Sequence, residues 1–210
     1  MKTDEEILAE ARQLRVGYQL KRTLRYNTTR DHSEHSESVA EHIFALLYLA
    51  EYFLRNEKFK EPLDPLKVHQ LLLFHDFEEI KDGDVVSYYK APDHAERSRR
   101  AAEEIFASLP PSLREPGLDA WREYDENMTP EARFCYALDK TEPLFELFDD
   151  AINQRSMKRL KVTYDMHVAN KFPVVEPYPL MKRFTEVLSE DMRKRGVFWN
   201  GGVDPAEAAK

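Results

Sequence analysis

The 210-residue sequence has one cysteine, Cys135, so it cannot form an internal disulfide. Cys135 lies in an apolar stretch, which favours a buried and inert thiol. The acidic start, Met1–Glu6, lacks the apolar segment of a signal peptide, and no apolar run approaches the roughly 18 residues of a membrane span. We therefore expect a cytoplasmic protein with no membrane contact.

An excess of positive charge is also lacking. The chain carries 31 Lys and Arg against 39 Asp and Glu, a formal net charge of −8. Proteins that bind DNA or RNA usually present a basic face, so we expect no nucleic-acid polymer as partner. A small phosphorylated substrate remains compatible with this charge, because it needs only a few local positive groups.

Strand-like alternation is missing too, and helical periodicity dominates the chain. A capping box at Ser38–Glu41 begins a helix over 38–55, and Asp64-Pro65 and Thr129-Pro130 begin two more. The helix that begins at Asp64 is expected to continue through His75 to about Gly83, and the helix that begins at Thr129 is expected to reach about Asn153. Other predicted helices cover 4–15, 94–108, 112–126, 156–170 and 178–195. The sequence predicts one all-α domain over residues 1–196, followed by a flexible tail over 197–210.

Four potential metal ligands lie in these predicted helices: His42, the pair His75-Asp76, and Asp139. Glu79 follows Asp76 by three residues and His75 by four, which places all three on one helical face. Two imidazoles and two carboxylates would neutralise a divalent metal and leave positions for water and substrate. The simpler alternative is a hydrogen-bonded core histidine at 42 and a surface ion pair at Asp139. The apolar run before His75 argues against it, because a buried aspartate is costly without a partner.

The motifs around these residues resemble those of the HD-domain phosphohydrolases, in particular the branch of bacterial 5'-deoxynucleotidases and their eukaryotic relatives. The resemblance covers roughly residues 10–150 and leaves about the last 50 unmatched. Its motifs are Val39-Ala40-Glu41-His42, His75-Asp76-Phe77-Glu78-Glu79, Gly83-Asp84, Leu109-Pro110, Trp121 with Glu123-Tyr124, and Leu138-Asp139-Lys140.

This resemblance implies a helical-bundle HD domain and a role for each matched residue. The expected ligands of one divalent metal, which is Mn, Co, Fe, Ni or Zn, are His42, His75, Asp76 and Asp139. Glu79 would act on the nucleophilic water, and Asp84 would help to position substrate or water. The residues expected to bind the nucleotide substrate are Arg25 and Lys90 at the phosphate and Tyr26 at the sugar. The resemblance also implies a homodimer.

Several alternatives stay open at this stage. Residues 31–37 lengthen the loop before His42, so Arg22 and Arg30 compete with Arg25 as the phosphate arginine. His32 and His35 are spaced to bind a metal, but a solvated loop is the simpler interpretation. Only His94 lies between the His-Asp pair and Asp139, which favours a single metal over a dinuclear centre. The alternative functions are hydrolysis of another small phosphate, a di-iron oxygenase and a non-catalytic helical regulator.

Overall fold

The computed structural model describes residues 2, 4–27, 37–148 and 150–201 of the chain. Within them the chain is helical, and the β pairing is limited to one isolated bridge between Leu24 and Ser38. The α-helices are α1 Asp4–Leu14, α2 Val39–Asn56, α3 Pro65–Phe74, α4 Glu79–Asp82, α5 His94–Ala107, α6 Pro111–Glu126, α7 Pro130–Leu147, α8 Ala151–Arg159, α9 Tyr164–Val175 and α10 Pro179–Lys194. Three 3₁₀ turns lie at Gly17–Lys21, Arg25–Asn27 and Ser87–Tyr89. The predicted all-α fold is confirmed.

The helix starts are set by the caps that the sequence shows. The Ser38 hydroxyl accepts a bond from the Glu41 N–H, and the Glu41 carboxylate accepts one from the Ser38 N–H at 2.7 Å. The Asp64 carboxylate caps α3, and the Thr129 hydroxyl caps α7. These side chains satisfy N–H groups that have no partner within the first helical turn.

The helices bury three apolar clusters. The main cluster joins α2, α3, α7, α9 and α10 through fully buried side chains such as Phe53, Leu72 and Leu138. A second cluster packs α5 and α6 against the end of α3. The third lies under α8 and α10 in the C-terminal part of the chain. No helix in the described ranges is long and apolar enough to span a membrane.

Three predicted helices differ from the observed ones. Helix α3 ends at Phe74, and the next residues form tight turns in which N–H groups bond to carbonyls three residues earlier. Helix α7 ends at Leu147 rather than near Asn153, and the expected helix over 156–170 is divided between α8 and α9.

The C-terminal boundary also lies later than expected. Val197 and Phe198 are 4% and 7% exposed and belong to the third apolar cluster. The Trp199 N–H donates to the Val162 carbonyl at 2.9 Å. The packed part of the chain therefore passes residue 196, and the rest of the predicted tail, 202–210, lies outside the described residues.

Candidate metal centre and active site

Three elements bring the predicted metal ligands together. The capped start of α2 fixes His42, the turn after α3 carries His75 and Asp76, and the middle of α7 supplies Asp139. Ligand atoms of His42, His75 and Asp76 all lie within 4.8 Å of one another. The His42 Nε2 atom is also 3.1 Å from Asp139 Oδ1, so the fourth predicted ligand lies beside this group of three through its contact with His42.

The orientation of both histidines fits a cation at this point. His75 Nδ1 lies 2.8 Å from the Leu72 carbonyl, and His42 Nδ1 lies 2.9 Å from Glu142 Oε2. Carbonyl and carboxylate oxygens accept, so both Nδ1 atoms carry the proton, and each Nε2 turns towards the cluster. Among the described residues, His75 Nε2 and Asp76 Oδ2 are buried without a hydrogen-bond partner although they lie 3.0 Å apart. A metal ion would satisfy both atoms.

The electrostatics of the cluster favour a positive charge in the same place. Burial and Arg25 act to lower the pKa of His42, but Glu142 and Asp139 outweigh them and raise it to about 10. Burial acts to raise the pKa of Asp76, whereas His75 and His42 bring it down to about 2. Burial opposes ionisation of Asp139 as well, but Lys140 and His42 hold its pKa well below its usual value. Both carboxylates are therefore ionised.

Arg25 lies beside this cluster, in the segment that leads into α2. Its side chain is buried, with Nη1 3.7 Å from Asp76 Oδ2 and 3.8 Å from Asp84 Oδ1. The neighbouring Tyr26 has a left-handed φ of 58°, and its backbone N–H donates to the Asp84 carboxylate. Asp84, itself 4% exposed, thus holds this strained turn and faces the guanidinium.

Glu79 lies at the start of α4, one tight turn after Asp76. Burial raises the pKa of its carboxyl well above the usual value, and the carboxylates of Asp76 and Asp84 add to this rise. Its Oε2 atom is buried and has no hydrogen-bond partner among the described residues. Such a carboxyl is suited to take up and release a proton.

A cavity of about 450 Å³ joins these groups. Most of the predicted site residues line it: Arg25, Tyr26, His75, Asp76, Glu79, Asp84, Lys90 and Asp139. His42 lies behind this wall, fully buried, and Lys90 is exposed at the rim. Arg22 is exposed and does not line the cavity. Arg30, His32 and His35 lie outside the described residues.

The structure shows contacts of residues to which the sequence argument assigned no role in the site. Glu142 orients His42, and its signal was its position three residues after Asp139 on the same helix. Trp121 Nε1 donates to Glu78 Oε2 at 2.8 Å, and the Tyr124 ring packs edge-on against His75. Lys171 of α9 also lines the cavity, although its segment resembles no family motif. His94 lines the cavity as well, with Nδ1 3.7 Å from Asp82 Oδ2.

A cluster of His and Asp side chains on packed helices, with a buried arginine beside it, is typical of a metal-dependent hydrolase. The family model described as "HD domain" matches residues 18–175, and the chain belongs to this family. The match extends past the residue 150 expected from the motifs, into α9.

Similar proteins have related names. The chain is 29% identical to mouse 5'-deoxynucleotidase HDDC2 over 161 residues, 76% of the chain and 78% of that protein. It is also 29% identical to the Xenopus laevis protein of the same name over 170 residues, 80% of the chain and 82% of that protein.

A solved structure, that of a predicted metal-dependent phosphohydrolase from Magnetospirillum magnetotacticum, superimposes with a TM-score of 0.77 at 27% identity. The match covers 92% of this chain and 98% of that one. The predicted enzyme class, an HD-domain phosphohydrolase, is confirmed, and a divalent metal is the cofactor that this class and the cluster imply.

Proposed function

We propose that this chain hydrolyses deoxyribonucleoside 5'-monophosphates to a deoxynucleoside and inorganic phosphate. The observation that carries the proposal is the 3.7 Å distance between the buried Arg25 guanidinium and Asp76 Oδ2. A phosphate bound by Arg25 would lie directly against the metal cluster. The name of the mouse and Xenopus relatives supports the choice of a 5'-deoxynucleotide as substrate.

His42, His75, Asp76 and Asp139 are proposed to hold one divalent ion. The ion is Mn, Co, Fe, Ni or Zn. When bound, such an ion makes a water molecule more acidic and polarises a phosphoryl oxygen. Glu142 and the Leu72 carbonyl support this metal site, because their hydrogen bonds to His42 and His75 fix the orientation of the two imidazoles.

The protein side chains then divide the remaining work. Arg25 binds the phosphate and offsets the charge that develops on it. Glu79 accepts a proton from the attacking water as the new P–O bond forms, and it returns a proton to the 5' oxygen as the old P–O bond breaks. Asp84 positions the substrate site through Arg25 and the Tyr26 backbone. Lys90 contributes a further positive charge at the rim.

Tyr26 is the proposed determinant of sugar selectivity. Its backbone is held by Asp84, and the Arg25 guanidinium lies 5.3 Å from the centre of its ring. A ring placed beside the phosphate site in this way can press against the 2' position of the sugar. A ribose hydroxyl at that position would meet the ring, whereas deoxyribose leaves room.

The test is phosphate release from a panel of deoxy and ribo 5'-mono- and triphosphates. The protein is first stripped of metal and then given Mn, Co, Fe, Ni or Zn in turn. The proposal predicts metal-dependent release from deoxynucleoside monophosphates and much slower release from their ribo counterparts. Release from triphosphates or from other small phosphates alone would favour the alternative HD-type activity. No release from any compound would favour the non-catalytic regulator.

A further inference from the structure

Lys171 is a buried lysine near the middle of α9. It is 4% exposed and lies on the buried face of α9 with His167 and Val175, each four residues away. An apolar residue would be expected there, because lysine is rarely buried unless its charge is paired. Its side chain lines the cavity that also contains Arg25, Asp76 and Asp139.

The ammonium group of Lys171 is not paired with a carboxylate. Its Nζ donates to the backbone carbonyl of Lys140, and no carboxylate of the described residues lies within 4 Å of it. Lys140, by contrast, is paired with Asp139 at 2.8 Å. Burial and the positive charge of Lys140 lower the pKa of Lys171 to about 7, although Asp139 and Glu142 oppose them.

A buried cation without an anionic partner is costly, and an anion that enters the cavity would remove that cost. The substrate phosphate is such an anion. We propose that Lys171 is a phosphate-binding residue, a second buried cation that contacts the phosphoryl group from α9 together with Arg25. This role of Lys171 rests on the proposed function in one respect: the ligand must be a phosphate ester. It also gives α9, beyond the recognised motifs, a place in the active site.

The competing explanation is structural. The bond from Lys171 to the Lys140 carbonyl ties α9 to α7, and this tie alone could account for the lysine. Lys171→Gln separates the two roles, because glutamine keeps an N–H donor for that carbonyl and loses the charge. Lys171→Met removes both, and Lys171→Arg keeps the charge. Lys182→Gln is the matched control, since this lysine lies on α10 in an ion pair with Glu176.

The experiment is calorimetric titration of the metal-loaded proteins with inorganic phosphate, with metal content and thermal midpoint measured for each variant. A charged hydrogen bond to an anion is worth about 10- to 100-fold in affinity. We expect Lys171→Gln and Lys171→Met to weaken phosphate binding by that factor. Lys171→Arg keeps the charge and should bind phosphate more tightly than Lys171→Gln, although its larger, planar group need not restore full affinity. Lys182→Gln should bind phosphate as wild type does.

Two results would overturn the proposal. One is wild-type phosphate affinity in Lys171→Gln with the same metal content. The other is weaker binding only in Lys171→Met, together with a lower thermal midpoint, which would indicate the structural tie. If Lys171→Met fails to fold, the glutamine variant decides. Because phosphate is the probe, the result is independent of nucleotide specificity. If the chain does not hydrolyse deoxynucleotides, the phosphate titration still tests the role of Lys171. If phosphate binding does not depend on Lys171, the proposed hydrolysis is not affected.

Discussion

Glu79 is half-buried between the metal cluster and Asp84, with its Oε2 atom buried, and desolvation followed by the charge of Asp76 raises its pKa. In the proposed function, its carboxyl moves a proton and does not bind the metal. We predict that Glu79→Gln lowers kcat by about 100-fold or more and leaves metal content unchanged. Steady-state kinetics and metal analysis of the same preparation provide the test. Loss of metal from this variant would instead make Glu79 a ligand.

Arg25 and Arg22 are close in sequence but differ in environment. Arg25 is buried against Asp76 and Asp84, whereas Arg22 is exposed and away from the cavity. We predict that Arg25→Met raises KM for a deoxynucleoside monophosphate by about 10- to 100-fold, because a charged hydrogen bond to the phosphate is lost. Arg22→Met is the control and should leave KM unchanged. The opposite pattern would show that the phosphate arginine has been misassigned.

The sequence was sufficient to predict that His42, His75 and Asp76 lie together, because each has a chemistry that is costly to bury alone. It did not predict that Glu142 holds His42, because Glu142 belongs to none of the recognised motifs and its signal was only its position three residues after Asp139 on α7. Lys171 was missed for a similar reason. Only the packing of α9 against α7 shows that this lysine lies in the cavity.

At the scale of helices, the contact between α5 and α6 depends on Gly117. A Cβ atom at this position would come within 2.6 Å of the Phe106 ring. That ring is fully buried between Phe74 and Phe77, which flank the site residues His75 and Asp76, so it has little room to move.

We predict that Gly117→Ala lowers the free energy of unfolding by about 1–3 kcal/mol despite the better helix propensity of alanine. Urea denaturation provides the measurement. Glu115→Gly, at an exposed position of the same helix, is the control and should lose about 0.5–1 kcal/mol by helix propensity alone. Unchanged or increased stability of Gly117→Ala would show that Phe106 can move aside.

Helix boundaries were predictable where a cap or a proline marks them, as at Ser38, Asp64 and Thr129. They were not predictable between α7 and α9. The break after Leu147 has no glycine or proline, and the turn before α9 depends on Lys161, a non-glycine residue with a left-handed φ of 52°. The end of α3 was missed because the apolar pattern continues to Phe77 while the backbone tightens to place His75 and Asp76.

For the whole molecule, His167 should make stability depend on pH. It lies on α9 and is fully buried against α10, with Nε2 2.7 Å from the Ser189 hydroxyl oxygen. Burial, followed by Lys171, lowers its pKa from the usual 6.5 to about 3. Between pH 6.5 and about 3, the unfolded chain therefore binds more protons than the folded chain, and stability falls as the pH falls below 6.5.

We predict that wild type loses about 2 kcal/mol more stability than His167→Gln between pH 6.5 and 5, at about 1.4 kcal/mol for each pH unit. Urea unfolding of both proteins at the two pH values tests this difference. Equal losses would mean that His167 is protonated in the folded state. The homodimer and the cytoplasmic location stay predictions, and light scattering of the purified chain would test the first.

We infer that a single cluster both holds the metal and hydrolyses a phosphate ester. Asp76 is the residue that joins the two, because it faces His42, His75 and Arg25 at once. The most direct measurement is metal content and phosphate release from a deoxynucleoside monophosphate, for wild type and Asp76→Ala side by side. We predict that the variant loses both the bound metal and the activity. Full metal content with full activity in Asp76→Ala would show that this cluster is not the catalytic metal site.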